Sequence, residues 1–269
     1  MTPGEVAHLE ETKARTFTPL EMTHWDQEIG NIKLPSQINV ADYADIHNLL
    51  SKHLPTGKYE CIEIGCAPGK WLAYFHKHFG YIPSGIEYSA IGADLSRKNL
   101  SLLNIGCEVY HADFFNFSTQ KHYDVVFTNG FIEHFPSSTG VMQKLASLLK
   151  PNGLIVTIIP NCYGLNGKIS KTFRPAVFYG HIPIDVGTLI SLHEHEGLRT
   201  LFSDYCGGVQ LILPCAKNSF SKRHPRISKL INSPFSKFTR FSKRISRASG
   251  VFPRSRLFSP SLIYIGVKD

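Results

Sequence analysis

The run Glu63-Ile-Gly-Cys-Ala-Pro-Gly69 has residue types suited to holding a nucleotide-like ligand through backbone as well as side chains. An apolar segment, Cys61 to Ile64, precedes it and reads as a buried parallel strand. A helical pattern follows from Lys70 to His78, with Trp71, Leu72 and Phe75 on one face. Strand, glycine turn and helix in that order set a ligand against a helix N-terminus. Gly65 and Gly69 let the backbone come close where a Cβ would stand in the way. Glu87 lies 18 residues after Gly69, close to the ~20 that a ribose-binding carboxylate requires. It ends a second strand, Ile82 to Tyr88, and can accept hydrogen bonds from two vicinal hydroxyls. A third strand, Cys107 to His111, leads into Ala112-Asp113-Phe114-Phe115, where a carboxylate beside aromatic rings suits an adenine. Asn129 ends a fourth strand, Tyr123 to Asn129, at the carboxyl edge where open α/β sheets bind ligands.

Two histidines are candidates for a general base. His134 follows the fourth strand in Gly130-Phe-Ile-Glu-His134; its structural alternative is a Glu133-His134 pair opening the next helix. His181 lies in Phe178-Tyr-Gly-His-Ile182; its alternative is an ordinary surface histidine. Glu63 has the alternative of a buried polar residue satisfied by backbone N–H groups, Asp113 that of a turn cap, and Asn129 that of turn chemistry with Gly130. Asn161, Tyr163 and Asn166 are placed to contact an acceptor by position alone.

These residues need a frame of alternating strands and helices. A helical pattern over 41–54 leads into the first strand, and a helix from Ser137 to Leu149 ends at Lys150-Pro-Asn-Gly153. A fifth strand runs from Leu154 to Ile159. Residues 161–181, rich in turns and aromatics, read as a loop over the ligand. Asp185 caps a helix running to about Glu196. Leu198 to Tyr205 and Gln210 to Leu213 read as a sixth strand or its extension, and Ser261 to Val267 as a final one. Residues 1–40 read as an irregular N-terminal lid segment containing His24-Trp25-Asp26, and 41–269 as the main domain. The fold class is α/β, a doubly wound and mostly parallel sheet.

This succession resembles the class I S-adenosylmethionine-dependent methyltransferases. Glu-Ile-Gly-Cys-Ala-Pro-Gly (63–69), Gly-Ile-Glu (85–87), Ala-Asp-Phe-Phe (112–115), Tyr-Asp-Val-Val-Phe (123–127) with Ile-Glu-His (132–134), and Leu-Lys-Pro-Asn-Gly-Leu-Ile (149–155) match in order. The resemblance spans roughly residues 45–213 and departs at Cys66 to Pro68, where the family more often has a third glycine. It implies a seven-stranded, Rossmann-like sheet whose last strand is antiparallel and lies beside the sixth. It implies S-adenosyl-L-methionine as cofactor, held by Glu63, Gly65, Cys66, Ala67, Gly69, Glu87, Tyr88, Asp113, Phe114 and Asn129. Glu63 would reach toward the methionine amino group. Methyl transfer from a sulfonium is an in-line displacement that needs alignment and exclusion of water. It requires no nucleophilic side chain and no metal, and none is expected. A general base helps where the acceptor is a hydroxyl.

The chain has 269 residues, 29 Lys+Arg against 21 Asp+Glu, and a formal net charge of +8. Residues 215–258 hold 12 of those bases and no acid; 29 less 12 leaves 17 bases against 21 acids elsewhere, a net of −4. Within this insertion Ile227, Leu230, Ile231, Phe235, Phe238, Phe241 and Ile245 recur at steps of three or four, with Lys and Arg between them. Pro234 is expected to split the segment into two helices. Three readings stand: a peripheral contact of 225–247 with an anionic membrane surface, an apolar face packed on the domain with the basic face solvated, or attraction to RNA phosphates.

The six cysteines contain no CxxC pair, so reduced, buried thiols in a cytoplasmic protein are expected. Met1 to Glu11 is acidic, which does not suit a signal peptide, and no apolar run approaches the ~18 residues of a membrane span. A location at the inner membrane face would suit the basic insertion. The expected acceptor is a small molecule or glycan hydroxyl, as in surface-polysaccharide biosynthesis, with a quinone or phenol next. RNA is disfavoured, because the fifth strand has no lysine and Asn129-Gly-Phe-Ile is not an amino-methylating motif. A binding module that kept the fold and lost catalysis is the non-enzymatic alternative. A nicotinamide dehydrogenase fits poorly, because Gly65-Cys-Ala-Pro-Gly69 is not G-x-G-x-x-G.

Overall fold

A computed structural model describes residues 26, 29, 32–135, 138–211 and 225–269. The strands are β1 (Glu60–Ile64), β2 (Ile82–Glu87), β3 (Glu108–His111), β4 (Tyr123–Asn129), β5 (Leu149–Pro160), β6 (Leu198–Cys206) and β7 (Ser261–Lys268). The helices are α1 (Ala44–His53), α2 (Lys70–Phe79), α3 (Ala90–Leu102), α4 (Ser138–Ser147), α5 (Leu165–Phe173), α6 (Pro175–Tyr179), α7 (Val186–Glu194) and α8 (Pro225–Ser249). The strands form one seven-stranded sheet in the order β3-β2-β1-β4-β5-β7-β6. β1 to β5 pair in parallel, whereas β7 runs antiparallel between β5 and β6. The expected architecture is therefore observed.

Period-two alternation sends successive strand residues to opposite faces. Cys61, Val125, Phe127, Val156, Ile263 and Ile265 pack with Leu49 and Leu50 of α1 and Trp71 and Phe75 of α2. Ile62, Ile64, Val126 and Ile155 pack on the other side with Val141, Met142 and Leu145 of α4 and Leu189 of α7. Burying both faces is why these strands read as near-continuous apolar runs. Asp185 caps α7 as expected, accepting a hydrogen bond from Thr188 N at 2.8 Å.

The structure corrects four expectations. β5 begins at Leu149 and carries Lys150-Pro-Asn-Gly153 inside it. A bulge absorbs these residues, since Tyr123 pairs with Leu149 but Val125 with Leu154, and Asn152 takes φ 61°. The segment after β5 folds into α5 and α6 rather than an open loop. Gln210 and Leu211 lie outside any strand, and 212–213 fall outside the described residues. Pro234 sits inside a single 25-residue helix, on its exposed side, at the cost of one backbone hydrogen bond.

Candidate active site

The glycine turn leaves β1 with Gly65 at φ +73° and enters α2 through Gly69 at φ +79°, both in the left-handed region that strains any other residue. The N–H groups of Gly65 and Cys66 donate to Ile86 O at 2.9 and 3.2 Å, tying the turn to β2. Cys66 turns its thiol away from the ligand side into a cluster with Leu72, Ala73 and Leu100. A Cβ on Gly85 would come within 2.6 Å of that sulfur, so the glycine in β2 makes room for the cysteine in the turn.

Glu87 ends β2 and is 8% exposed. One carboxylate oxygen accepts from Ala67 N at 3.1 Å and the other from Ser89 N at 2.9 Å. Burial pushes its pKa up, against the N–H groups of Ser89, Ala67 and Tyr88. Ser89 in turn donates its hydroxyl to Asp26, which brings that residue to this edge.

A cavity of about 420 Å³ opens over the carboxyl ends of the strands. Of the residues singled out by sequence, Gly65, Ala67, Glu87, Tyr88, Phe114, Asn129, His134 and His181 line it. Ile29 and Phe131 add apolar wall. Glu63, Cys66, Gly69 and Asp113 are not among the cavity's lining residues. Glu63 is 3% exposed with one carboxylate oxygen unpartnered, and burial holds its pKa far above the usual range although Lys70 opposes this. Asp113 caps its own turn, each carboxylate oxygen accepting one hydrogen bond, from Phe115 N at 2.9 Å and Asn116 Nδ2 at 2.8 Å. It thereby fixes Phe114, which meets Phe131 edge-on at 5.3 Å. Asn161 is likewise structural, its amide donating to Arg256 O and Ser259 O.

The far end of the cavity holds Glu133, His134 and His181. A one-turn 3-10 helix, Ile132–His134, turns the first two inward. The chain between α6 and α7 brings the third, held by Ile182 N donating to Glu133 O at 2.7 Å. His134 Nδ1 lies 3.0 Å from Gly180 O, and His181 Nδ1 bonds to Val177 O. A carbonyl only accepts, so in each neutral ring Nδ1 carries the proton and Nε2 the lone pair. Burial lowers the His181 pKa below 6.5, against the pull of the Val177 carbonyl. Glu133 is 1% exposed, and neither carboxylate oxygen makes a hydrogen bond of good geometry. Burial pushes its pKa up to about 8, past the opposing influence of nearby N–H groups. Donor atoms of the three residues lie within 4.8 Å of one another, a spacing from which a divalent cation could be held. Sequence reading took Glu133 only as the partner of His134. Its signal was a carboxylate one residue from a candidate base, beyond a strand's carboxyl end.

A methyltransferase-domain family model matches residues 36–204. A curated relative, trans-aconitate 2-methyltransferase of Escherichia coli, is 26% identical over 100 residues, 37% of this chain and 38% of that protein; the chain thus spans well under half of that relative's length. Among solved structures, an Archaeoglobus fulgidus SAM-dependent methyltransferase superposes with TM-score 0.53 at 19% identity, over 83% of this chain and 93% of its own. The geranyl diphosphate C-methyltransferase of Streptomyces coelicolor, solved with S-adenosyl-L-homocysteine, gives TM-score 0.53 at 16% identity over 82% and 74%.

Proposed function

The chain belongs to the class I S-adenosylmethionine-dependent methyltransferases, and from that membership we propose that it O-methylates a small molecule or sugar hydroxyl, with a surface-polysaccharide precursor as the favoured acceptor. S-adenosyl-L-methionine, when bound, supplies a methyl group activated by its sulfonium. The cavity fits such a ligand. The wall at Gly65 has no side chain, and the Glu87 carboxylate, which accepts from Ala67 N and Ser89 N, faces the same cavity as an acceptor for ribose hydroxyls. Gly65 and Ala67 offer backbone at the same end, and Phe114 and Tyr88 offer rings for the base. Asn129 lines the same cavity. Glu63, Cys66, Gly69 and Asp113 shape the turn and the aromatic wall. Residues 1–40 serve as a lid, a role supported by Ile29 in the cavity wall and by the Ser89 bond to Asp26.

His134 takes the acceptor's proton on Nε2 as the hydroxyl reacts, and His181 stands beside it. The aromatic and aliphatic walls keep water from competing. The observation that carries this reading is that Glu87 and His134 line one cavity, so a donor-holding end and a proton-accepting end face the same space. Calorimetric titration of the full chain with S-adenosyl-L-methionine and with NADH tests it. Binding of the first and none of the second is expected; binding of NADH alone would overturn it.

A further inference from the structure

The face that α8 turns to solvent carries an apolar stripe flanked by cations. Thr239 accepts from Leu211 N at 3.0 Å, Ser246 is 5% exposed, and Lys243 Nζ donates to Asp42 O at 3.0 Å. The contacts that hold the helix are thus made by hydroxyls and an ammonium. Phe238, Phe241 and Ile245, spaced by three and four residues, are 45%, 63% and 50% exposed and form one stripe. Lys237, Arg240 and Arg244 are exposed alongside it. Of the apolar residues of the segment, Phe238, Phe241 and Ile245 face solvent and Phe235 is half-buried.

We propose that α8 binds the surface of an anionic lipid bilayer, lying in the interface with Phe238, Phe241 and Ile245 among the acyl chains and Lys237, Arg240 and Arg244 at the headgroup phosphates. Charge complementarity and the apolar stripe together select this partner. Residues 215–258 carry no acid to repel phosphates, and an apolar stripe beside cations is what an interfacial helix needs. A polyanion such as RNA would need only the cations. No helix among the described residues is apolar enough to cross a membrane, so α8 lies on the surface rather than spanning it. Ser242 and Ser246 of α8 line a second cavity together with Ser261, and Ser261 also lines the cavity of Glu87 and His134. Surface binding does not rest on the methyltransferase reading.

Co-sedimentation of the full chain with phosphatidylcholine vesicles, with and without phosphatidylglycerol, tests the proposal. Binding only to the anionic vesicles, lost at high salt, is expected. Replacing Lys237, Arg240 and Arg244 by Gln should weaken it about a hundredfold. Phe238→Ser with Phe241→Ser should weaken it about tenfold. These side chains are exposed, so folding and S-adenosyl-L-methionine affinity should match wild type; that titration reports separately on the methyltransferase reading. No sedimentation with anionic vesicles, or RNA binding that the serine variant leaves unchanged while vesicle binding is absent, would overturn the proposal.

Discussion

The rings of His134 and His181 face each other with centroids 4.7 Å apart and planes tilted by 41°, although the chain forms α4, β5, α5 and α6 between them. Each ring is oriented by a backbone carbonyl at Nδ1. This is the arrangement of a proton acceptor whose tautomer is set before substrate arrives.

The rate should follow from that tautomer. A neutral imidazole accepts a proton and a charged one does not. A charge on His181, stacked against His134, would oppose a proton arriving on its neighbour; with the His181 pKa held below 6.5 that charge is absent near neutrality, and kcat/KM should fall as pH drops through the lowered value. His134→Gln should cut kcat by about 10²–10⁴ while S-adenosyl-L-methionine affinity stays at the wild-type level. An undiminished kcat would remove His134 as the base.

Glu133 should make stability depend on pH in the alkaline direction. Its folded pKa, about 8, lies above the ordinary 4.5, so between these values the folded chain binds a proton that the unfolded chain gives up. The stability it contributes is present in full below 4.5 and is lost as pH rises through about 8. Glu133→Gln is neutral throughout. Thermal melts should therefore place the variant roughly 5 °C or more above wild type at pH well above 8, and level with it at acid pH. Parallel curves across the range would refute the burial argument.

Glu87→Ala should weaken S-adenosyl-L-methionine binding about 10–100-fold, because a charged acceptor is lost and the N–H groups of Ala67 and Ser89 lose their partner. Glu87→Gln should fall between, since its amide oxygen can accept but its NH₂ cannot serve the second N–H. Titration calorimetry reads both, and equal affinity in Glu87→Ala and wild type would sink the ribose assignment.

Zinc should inhibit. Two imidazoles and a carboxylate with donors within 4.8 Å form a trap for it, and a cation there would occupy the lone pairs that accept the proton. Inhibition should be relieved by a chelator, and chelator alone should leave the rate unchanged. A rate lost on chelation would instead make a cation part of the working site.

Much of the frame was legible because its signals are local. Gly65 and Gly69 marked a turn whose φ values only glycine takes easily, and Glu87 stood where its strand had to end. β4 was bounded by its own near-continuous apolar run between Tyr123 and Asn129. What failed depended on partners distant in sequence. Lys150-Pro-Asn-Gly153 reads as a terminator, yet pairing of β5 with β4 draws it into the strand as a bulge. Asn161-Cys-Tyr-Gly-Leu-Asn-Gly167 reads as loop, yet Asn161 pins Gly164 by accepting from its N–H at 3.0 Å, and α5 starts at Leu165. Periodicity identified the apolar side of α8, but only the hydroxyl contacts of Thr239 showed which side meets the body.

The place of β7 has a consequence for how the molecule is made. Its residues 261–268 fill the gap between β5 and β6, and Ile263 and Ile265 complete the core beneath α1 and α2. During translation, β6 therefore has no strand to pair with until residues 261–268 have emerged. Until then Val156 and Ile158 stay uncovered along one margin, and the nascent chain exposes a sticky strand border for as long as the basic helix takes to be synthesised. Closure of the sheet thus waits for β7, and the border of β5 stays open until it arrives.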